Sequence, residues 1–217
     1  MSISASQIKE LRGKTGAGIL DCKKALGAVD GDFEKAVDWL RTKGIAKAAK
    51  KSTRAATEGS VFSYIHGGGR LGVLLEVNCE TDFVARGDVF QTFVKDVSMH
   101  IAAASPSWVR REDAPADEVS REKAIFLQQA MDSGKPEHIA EKMVVGKLNK
   151  YYAENCLLEQ AWVKDDSKTI EQLQTEVVTQ TGENVRIRRF TRWSLGEGLE
   201  KKNDDFAAEV AAMAAGN

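Results

Sequence analysis

The sequence has few cysteines and no long apolar run. Its 217 residues contain three cysteines, Cys22, Cys79 and Cys156, and none forms a CxxC pair. An odd, sparse set argues against a disulfide framework and favours a reducing compartment. No stretch approaches the ~20 apolar residues of a membrane-spanning helix, and residues 1–4 lack the basic and apolar regions of a signal peptide. We therefore expect a cytoplasmic protein without membrane contact.

The sequence also lacks the residue patterns of enzymes and metal proteins. His66, His100 and His138 stand outside HExxH and similar ligand spacings, and neither GxSxG nor GxxxxGK[ST] occurs. We expect His100 and His138 to be surface or hydrogen-bonded core histidines. Residues 67–72 match the letters GxGxxG, but a predicted strand follows them instead of the helix that would bind pyrophosphate. A hairpin turn is favoured there, and a nucleotide-dependent enzyme is the less favoured alternative. We expect no covalent catalysis and no cofactor.

Charge is distributed unevenly along a chain whose formal net charge is −1. Residues 1–54 carry 12 lysines and arginines against 6 acidic residues, and the remainder carries 19 against 26. Such asymmetry indicates two parts with different surfaces. The basic run from Arg41 to Arg54 contains no aromatic residue, so it is read as a solvated linker and not as a direct nucleic-acid site.

Residues 4–44 have the pattern of three short helices. Ser4 or Ser6 is placed to cap the first helix, the segment 30–32 makes a turn and a cap, and Gly44 is the expected stop of the third. Residues 45–58 show no clear apolar face and are read as an exposed helical or flexible linker. We therefore divide the chain into a three-helix domain with a basic linker, 1–54, and a core domain, 55–217.

The remaining residues combine strand and helix patterns. Residues 61–66 and 71–79 read as two strands joined by three glycines, and residues 185–193 read as a third. Residues 156–163 are expected to be extended, and several amphipathic helices lie between the strands, with a short last helix carrying Phe206, Val210 and Met213. The order predicts an α+β core in which helices pack on a small antiparallel sheet.

The segment after the second strand, residues 80–86 (ETDFVAR), leaves two structural alternatives. Thr81 and Asp82 suit the cap of a helix, and Phe83 then falls in its first turn. An apolar residue there either packs against the helix as a staple or projects outward. Periodicity favours neither alternative.

Four segments resemble a known family. Residues 11–26 (LRGKTGAGILDCKKAL) and 76–86 (EVNCETDFVAR) closely resemble two signatures of elongation factor Ts, and the tail segments GEGLE and FAAEVA also match. The resemblance implies that the N-terminal bundle is similar to a ubiquitin-associated domain. It also implies that this bundle, including Lys23, docks on the GTPase domain of elongation factor Tu.

The resemblance assigns further contacts residue by residue. Asp82 and Phe83, flanked by Thr81 and Val84, would enter between helices of the GTPase near its Mg²⁺ and phosphate site. The loop at His66 and Gly67 would lie at the partner surface. Val163 and Lys164, which follow Trp162, would reach another domain of the partner, although Lys164 replaces the apolar residue typical of the family.

The implied function is guanine nucleotide exchange, in which GDP leaves elongation factor Tu without covalent catalysis. The alternative is a binding module for a ubiquitin-like fold, which would account for residues 1–44 alone. The chain resembles short members with a single core, which form homodimers. We expect apolar strand residues, including Leu71, Val73 and Leu75, to be exposed for that contact.

Overall fold

Three helices form the first part of the chain. A computed structural model describes residues 3–134 and 136–199. In it α1 spans Ala5–Thr15, α2 spans Ile19–Ala28 and α3 spans Phe33–Lys51. Ser4 caps α1 in a reciprocal pair of hydrogen bonds with Gln7, and Asp32 caps α3, as their positions predict. The bundle encloses its own small core, made of Leu11, Ala17, Cys22, Ala25, Leu26, Ala36 and Leu40.

The third helix is longer than predicted, because Gly44 does not end it. Residues 45–51 continue α3, so the helical alternative for the first half of the linker is the observed one. Alanine and lysine favour helix, and their propensity offsets the roughly 1 kcal/mol that an internal glycine costs. Gly44 also faces helix α8, Ile170–Thr181: a Cβ built there would lie 3.1 Å from the Thr179 hydroxyl. A small residue therefore allows the two helices to approach closely.

The sheet has three antiparallel strands in the order β1-β2-β5. Strand β1 spans Glu58–His66, β2 spans Leu71–Cys79 and β5 spans Arg186–Ser194. The β1–β2 hairpin turns through three consecutive glycines whose φ angles are 59°, 65° and 90°. Since only glycine adopts this conformation without strain, the hairpin predicted from the glycine run is confirmed.

The inner face of the sheet is covered by helices and forms the main core. Helix α5 spans Asp88–Ala104 and α8 spans Ile170–Thr181. Val73 and Leu75 of β2 are 3% and 0% exposed in that core, and Leu71 is partly buried against it. The expectation that these three residues are exposed is therefore wrong: the alternation of β2 directs them towards the helices. The apolar residues exposed on the outer face are Val61, Ile65, Leu74 and Trp193.

Two long helices and a second, two-stranded sheet complete the described fold. Helix α6 spans Ala116–Asp132 and packs against α7, Glu137–Asn155; a single 3-10 turn, Arg111–Asp113, precedes them. Another turn, Leu157–Glu159, leads into β3, Ala161–Trp162, and β4, Asp165–Thr169. The remaining short helix, α4, spans Asp82–Ala85.

The extended prediction for residues 156–163 is therefore correct only in part. Cys156 and Leu157 are both buried, and consecutive residues of a strand cannot direct both side chains to one face. The 3-10 turn Leu157–Glu159 allows the side chains of both Cys156 and Leu157 to point into the protein. The predicted helix at Phe206, Val210 and Met213 lies outside the described residues. No helix among the described residues is long and apolar enough to cross a membrane.

The predicted class, α+β with an N-terminal helical bundle and helices packed on an antiparallel sheet, is confirmed. The first core lies within the bundle and the second lies between the sheet, α5 and α8. Ala48 of α3 packs against the second core. The last part of α3 thus belongs to both units, so it is not a free linker.

Candidate functional site

The segment that follows β2 is held by a carboxylate from a distant part of the chain. Glu183, just after α8, accepts hydrogen bonds from the backbone amides of Glu80 and Thr81 at 3.1 and 3.0 Å and from the Thr81 hydroxyl at 2.7 Å. Thr81 is also the N-cap of α4, because its hydroxyl oxygen accepts from the amide of Val84 at 3.3 Å. Residues 80–81 are therefore fixed from two sides.

A second set of contacts joins this segment to the end of α3. The backbone amide of Asn184 donates to the Glu80 carboxylate at 2.6 Å, and its side-chain amide donates to the carbonyl oxygens of Arg54 and Ser52 at 2.8 and 3.3 Å. Arg54 also pairs with Glu80 at 3.5 Å. Three chain segments thus meet at one junction, which consists of Ser52, Arg54, Glu80, Thr81, Glu183 and Asn184.

Phe83 projects from this junction into solvent. Its side chain is 81% exposed, whereas Val84 packs partly against the main core and Ala85 is buried. The Asp82 carboxylate pairs with Arg86 one turn later. Of the two alternatives for Phe83, the structure therefore has the outward one. A fixed, exposed aromatic side chain is typical of the residues that anchor protein interfaces.

The other predicted contact residues lie elsewhere in the molecule. His66 and Gly67 are at the hairpin end of β2, about 27 Å along the strand from Cys79. The His66 ring stacks on Tyr64, and its Nδ1 lies 2.9 Å from the Tyr64 hydroxyl. Lys23 is exposed on α2. The described structure thus distributes the predicted residues over separate surfaces and does not gather them into one pocket.

Val163 and Lys164 form the turn between β3 and β4. Val163 is 52% exposed. The Lys164 ammonium lies 2.6 Å from the carboxylate of Asp96 on α5, a residue that is almost fully buried. This lysine therefore has a partner inside the protein, which an apolar residue at the same position would not have.

The titratable groups of the core show no sign of activation for covalent chemistry. Burial raises the pKa of the Cys79 thiol and that of the Cys156 thiol to about 11, and it also raises the pKa of Cys22. These thiols are protonated at neutral pH and are poor nucleophiles. Among the described residues no group of His, Cys, Asp and Glu is arranged to hold a metal ion.

One carboxylate on the outer face of the sheet is strongly stabilised in its ionised form. Glu76 accepts hydrogen bonds from Arg188 at 2.7 Å and from Arg189 at 2.6 Å, and these bonds lower the pKa of Glu76 to about 2. The group ties β2 to β5 across the face that also exposes Leu74. Its role in the described structure is cross-strand pairing.

Sequence reasoning missed Glu183 and Asn184. They are 102 and 104 residues away from Thr81 and Glu80, the residues that they bind. The only local signal is the pair of polar residues between a helix-ending glycine and a strand, which is also typical of an ordinary loop. No pattern within a single segment could have predicted the junction.

The fold and these surfaces define a protein with an N-terminal helical bundle, an α+β core and an apolar residue displayed on a firmly held short helix. A family model described as Elongation factor TS matches residues 45–197. The chain is 62% identical to "Elongation factor Ts" of Geobacter sulfurreducens and 61% identical to that of Geobacter metallireducens, over 99% of each chain. It is 59% identical to "Elongation factor Ts" of Desulforamulus reducens over 97% of each chain. The chain belongs to the elongation factor Ts family, a family of translation elongation factors.

Proposed function

We propose that this protein is a guanine nucleotide exchange factor that promotes release of GDP from elongation factor Tu. The observation that carries the proposal is Phe83, which is 81% exposed on a helix fixed by Glu183. Family membership supports the choice of partner. The protein makes and breaks no covalent bond, and it needs no cofactor of its own.

The proposed mechanism is linkage between two binding events. If the factor lowers the affinity of the GTPase for nucleotide by a given ratio, then bound nucleotide lowers the affinity of the GTPase for the factor by the same ratio. A ratio of about 10⁴ requires roughly 5.5 kcal/mol of coupling. We infer that Asp82 and Phe83, with Thr81 and Val84 beside them, displace the elements that hold Mg²⁺ and the phosphates. Loss of the cation removes the largest positive charge next to those phosphates.

The rigid support of α4 by the junction favours this displacement. A side chain can displace structural elements of a partner only if the backbone that carries it is more rigid than those elements. Residues 80–81 are held by three hydrogen bonds to a single carboxylate, and Val84 and Ala85 anchor the other side of α4 in the core. Binding energy is therefore available to deform the GTPase and is not spent on ordering α4.

The N-terminal unit, which we assign to residues 1–54, provides the docking contact in this proposal. It carries 12 basic against 6 acidic residues, so an acidic partner surface would attract it and speed encounter. We assign Lys23 to this contact and propose that the bundle resembles a ubiquitin-associated domain. Residues 55–217 are the exchange unit.

Two further surfaces complete the proposed contact with the partner. The hairpin at His66 and Gly67 would lie at the partner surface, and the turn at Val163 would reach another domain of the partner. Lys164 is paired with Asp96. We therefore propose that its side chain supports the turn and that Val163 makes the contact.

We also propose that the protein forms a homodimer in the cytoplasm. The supporting observation is the outer face of the sheet, where all three strands expose apolar residues, with Val61 and Ile65 on β1, Leu74 on β2 and Trp193 on β5. Exposed apolar side chains on every strand of one sheet face are typical of a protein interface, and the charged group at Glu76 lies beside them. In a two-fold symmetric dimer, the same face of a second copy would cover these residues.

The test is release of labelled GDP from purified elongation factor Tu, with and without the protein. Strong acceleration at substoichiometric protein is expected, because the factor is regenerated when GTP binds. An unchanged release rate would contradict the proposal. Tight binding to elongation factor Tu with an unchanged release rate would instead favour the binding-module alternative.

A further inference from the structure

A buried histidine holds the turn that displays Val163. His100 on α5 is fully buried, and its Nδ1 accepts a hydrogen bond from the backbone amide of Val163 at 3.3 Å. On the other side of the ring, Nε2 lies 2.9 Å from the side-chain oxygen of Gln160. The ring therefore connects the turn to the interior of the protein.

The surrounding hydrogen bonds determine which nitrogen carries the proton. The side-chain nitrogen of Gln160, itself buried, donates to the carbonyl oxygens of Glu154 at 2.7 Å and Ala104 at 3.5 Å. Its oxygen therefore faces His100 and must accept, so Nε2 carries the hydrogen. Burial lowers the pKa of His100, which keeps the ring neutral. Nδ1 is then free of hydrogen and can accept from Val163.

The same helix makes a second contact with the turn one helical turn earlier. The Asp96 carboxylate on α5 accepts from the Lys164 ammonium at 2.6 Å. The backbone of Val163 and the side chain of Lys164 are thus both directed towards α5. The side chain of Val163 is left pointing outward, 52% exposed.

We propose that His100 is a positioning residue for partner binding: through Nδ1 it fixes the backbone of Val163 and so presents that side chain to the GTPase. This inference rests on the proposed function, because it takes Val163 as a contact residue. His100 touches neither nucleotide nor partner. Its effect should therefore fall on the concentration of protein needed for half-maximal GDP release, while Phe83 should determine the maximal rate.

Three substitutions separate the acceptor role from simple packing. Asparagine can place an oxygen near the position of Nδ1, glutamine can reach only the position of Nε2, and leucine replaces neither group. In His100→Leu and His100→Gln, exchange of the Val163 amide hydrogen should accelerate about tenfold, and the half-saturating concentration should rise about tenfold. In His100→Asn both values should stay close to those of the unaltered protein.

The experiment measures amide hydrogen exchange, thermal melting and GDP release over a range of protein concentrations. Val163→Ala should raise the half-saturating concentration to a similar extent, and adding His100→Leu to it should raise the value no further. Additive effects, or an asparagine variant that behaves like leucine, would overturn the proposal. A leucine variant that does not fold leaves the asparagine and glutamine variants to decide.

Failure of the proposed exchange function would give a different result from failure of the positioning role of His100. If the unaltered protein does not accelerate GDP release, the exchange function and the binding step inferred here fall together. If it does accelerate release and His100→Leu frees the Val163 amide without changing the half-saturating concentration, only the positioning role is refuted.

Discussion

Each residue around Phe83 has a separate structural role in the short helix α4. Thr81 caps α4, Ala85 anchors it in the core, and Phe83 faces solvent. Exposing a phenylalanine forgoes about 1.5–3 kcal/mol of stabilisation that its burial would give. Burial of the ring by the proposed partner would offset that cost.

We expect Phe83→Ala to lower stimulated GDP release at least tenfold while the melting temperature stays nearly constant. Truncating an aromatic anchor at an interface typically removes about 2–4 kcal/mol of interaction energy. In the proposed mechanism that energy drives displacement of the nucleotide-binding elements, so the maximal rate falls, whereas the ring has little burial to lose within its own chain. The measurements are labelled-GDP release and thermal unfolding. Ile125→Ala, at an exposed apolar position on α6, is the control and should change neither. Early melting together with normal release would place Phe83 among structural residues.

We expect Asp82 to contribute less than Phe83 to stimulated GDP release. The structure gives the cap of α4 to Thr81, and Asp82 forms an exposed pair with Arg86. The loss of about 1 kcal/mol expected from removing a helix cap therefore applies to Thr81→Ala. Surface ion pairs contribute about 0–1 kcal/mol, so stability alone gives little reason for an acidic residue at position 82.

Glu76 provides a prediction about pH. Since Arg188 and Arg189 lower the pKa of Glu76 to about 2, its ionised form stabilises the fold above the ordinary glutamate pKa, and this contribution disappears as pH falls towards 2. Glu76→Gln should therefore lower the melting temperature at pH 7 by about 2–4 °C, equivalent to ~1 kcal/mol. The difference from the unaltered protein should shrink steadily in melts below pH 4. A constant difference down to pH 2 would show that the charge is irrelevant.

At the scale of the element, Glu183 and α4 form a unit. In Glu183→Ala two backbone amides and one hydroxyl lose their acceptor, so α4 should be held less firmly. We expect the maximal rate of GDP release to fall by about three- to tenfold, because each net hydrogen bond contributes about 0.5–1.5 kcal/mol. Amide exchange at Thr81 should accelerate in parallel.

Glu171→Ala is the matched control, because this glutamate is exposed on α8. It should leave both rates unchanged. A Glu183 variant with faster amide exchange but full nucleotide release would show that α4 need not be rigid to act.

Most individual elements were predictable from the sequence because their determinants are local. Ser4 and Asp32 cap their helices, and the glycine run makes the hairpin. The length of α3 was not predictable, since Gly44 is accommodated by contact with Thr179, which is 135 residues later. The exposed face of β2 was not predictable, because which of its two faces the helices cover depends on tertiary packing, and the composition of the outer face depends on strand order. Residues from β1 and β5 reach that face only through the order β1-β2-β5.

The candidate site was predictable only where it is continuous in sequence. The resemblance led to Asp82 and Phe83, and the structure adds that Phe83 is exposed. Glu183 and Asn184 bind the segment before Asp82, and His100 binds the turn at Val163, in each case through hydrogen bonds across the fold. Such partners follow from tertiary packing, and no periodicity reports them.

At the scale of the whole molecule, the two cores give a prediction about truncation. A chain that starts at Ile45 keeps Ala48 in the main core and keeps the carbonyl groups of Ser52 and Arg54 that Asn184 binds. A chain that starts at Ala55 loses all of them. Both should fold and bind elongation factor Tu roughly tenfold or more weakly, but only the shorter chain should melt earlier. Unaltered affinity in both would refute docking by the bundle.

The outer face of the sheet gives a prediction about assembly. Sedimentation equilibrium at micromolar concentration should yield about twice the chain mass of 23.7 kDa. Leu74→Asp should shift the protein to monomer, because it replaces an exposed apolar side chain of the proposed contact by a charge that the contact would bury. Ile125→Asp, at an exposed apolar position on α6, should leave the mass unchanged. A monomer before any substitution would refute the dimer and leave the exchange function intact.

The junction of Ser52, Arg54, Glu80, Thr81, Glu183 and Asn184 has a consequence for the kinetics of encounter. Adjacent residues fix the two ends: Asn184 holds the end of α3, and Glu183 holds the start of α4. These contacts therefore fix the distance between the end of α3, which belongs to the bundle, and Phe83. If the bundle docks on the GTPase as proposed, the contact through Phe83 becomes an intramolecular event with a high effective concentration. Under the proposed function, the molecule would be a preorganised bidentate ligand, in which the first contact determines the position of the second.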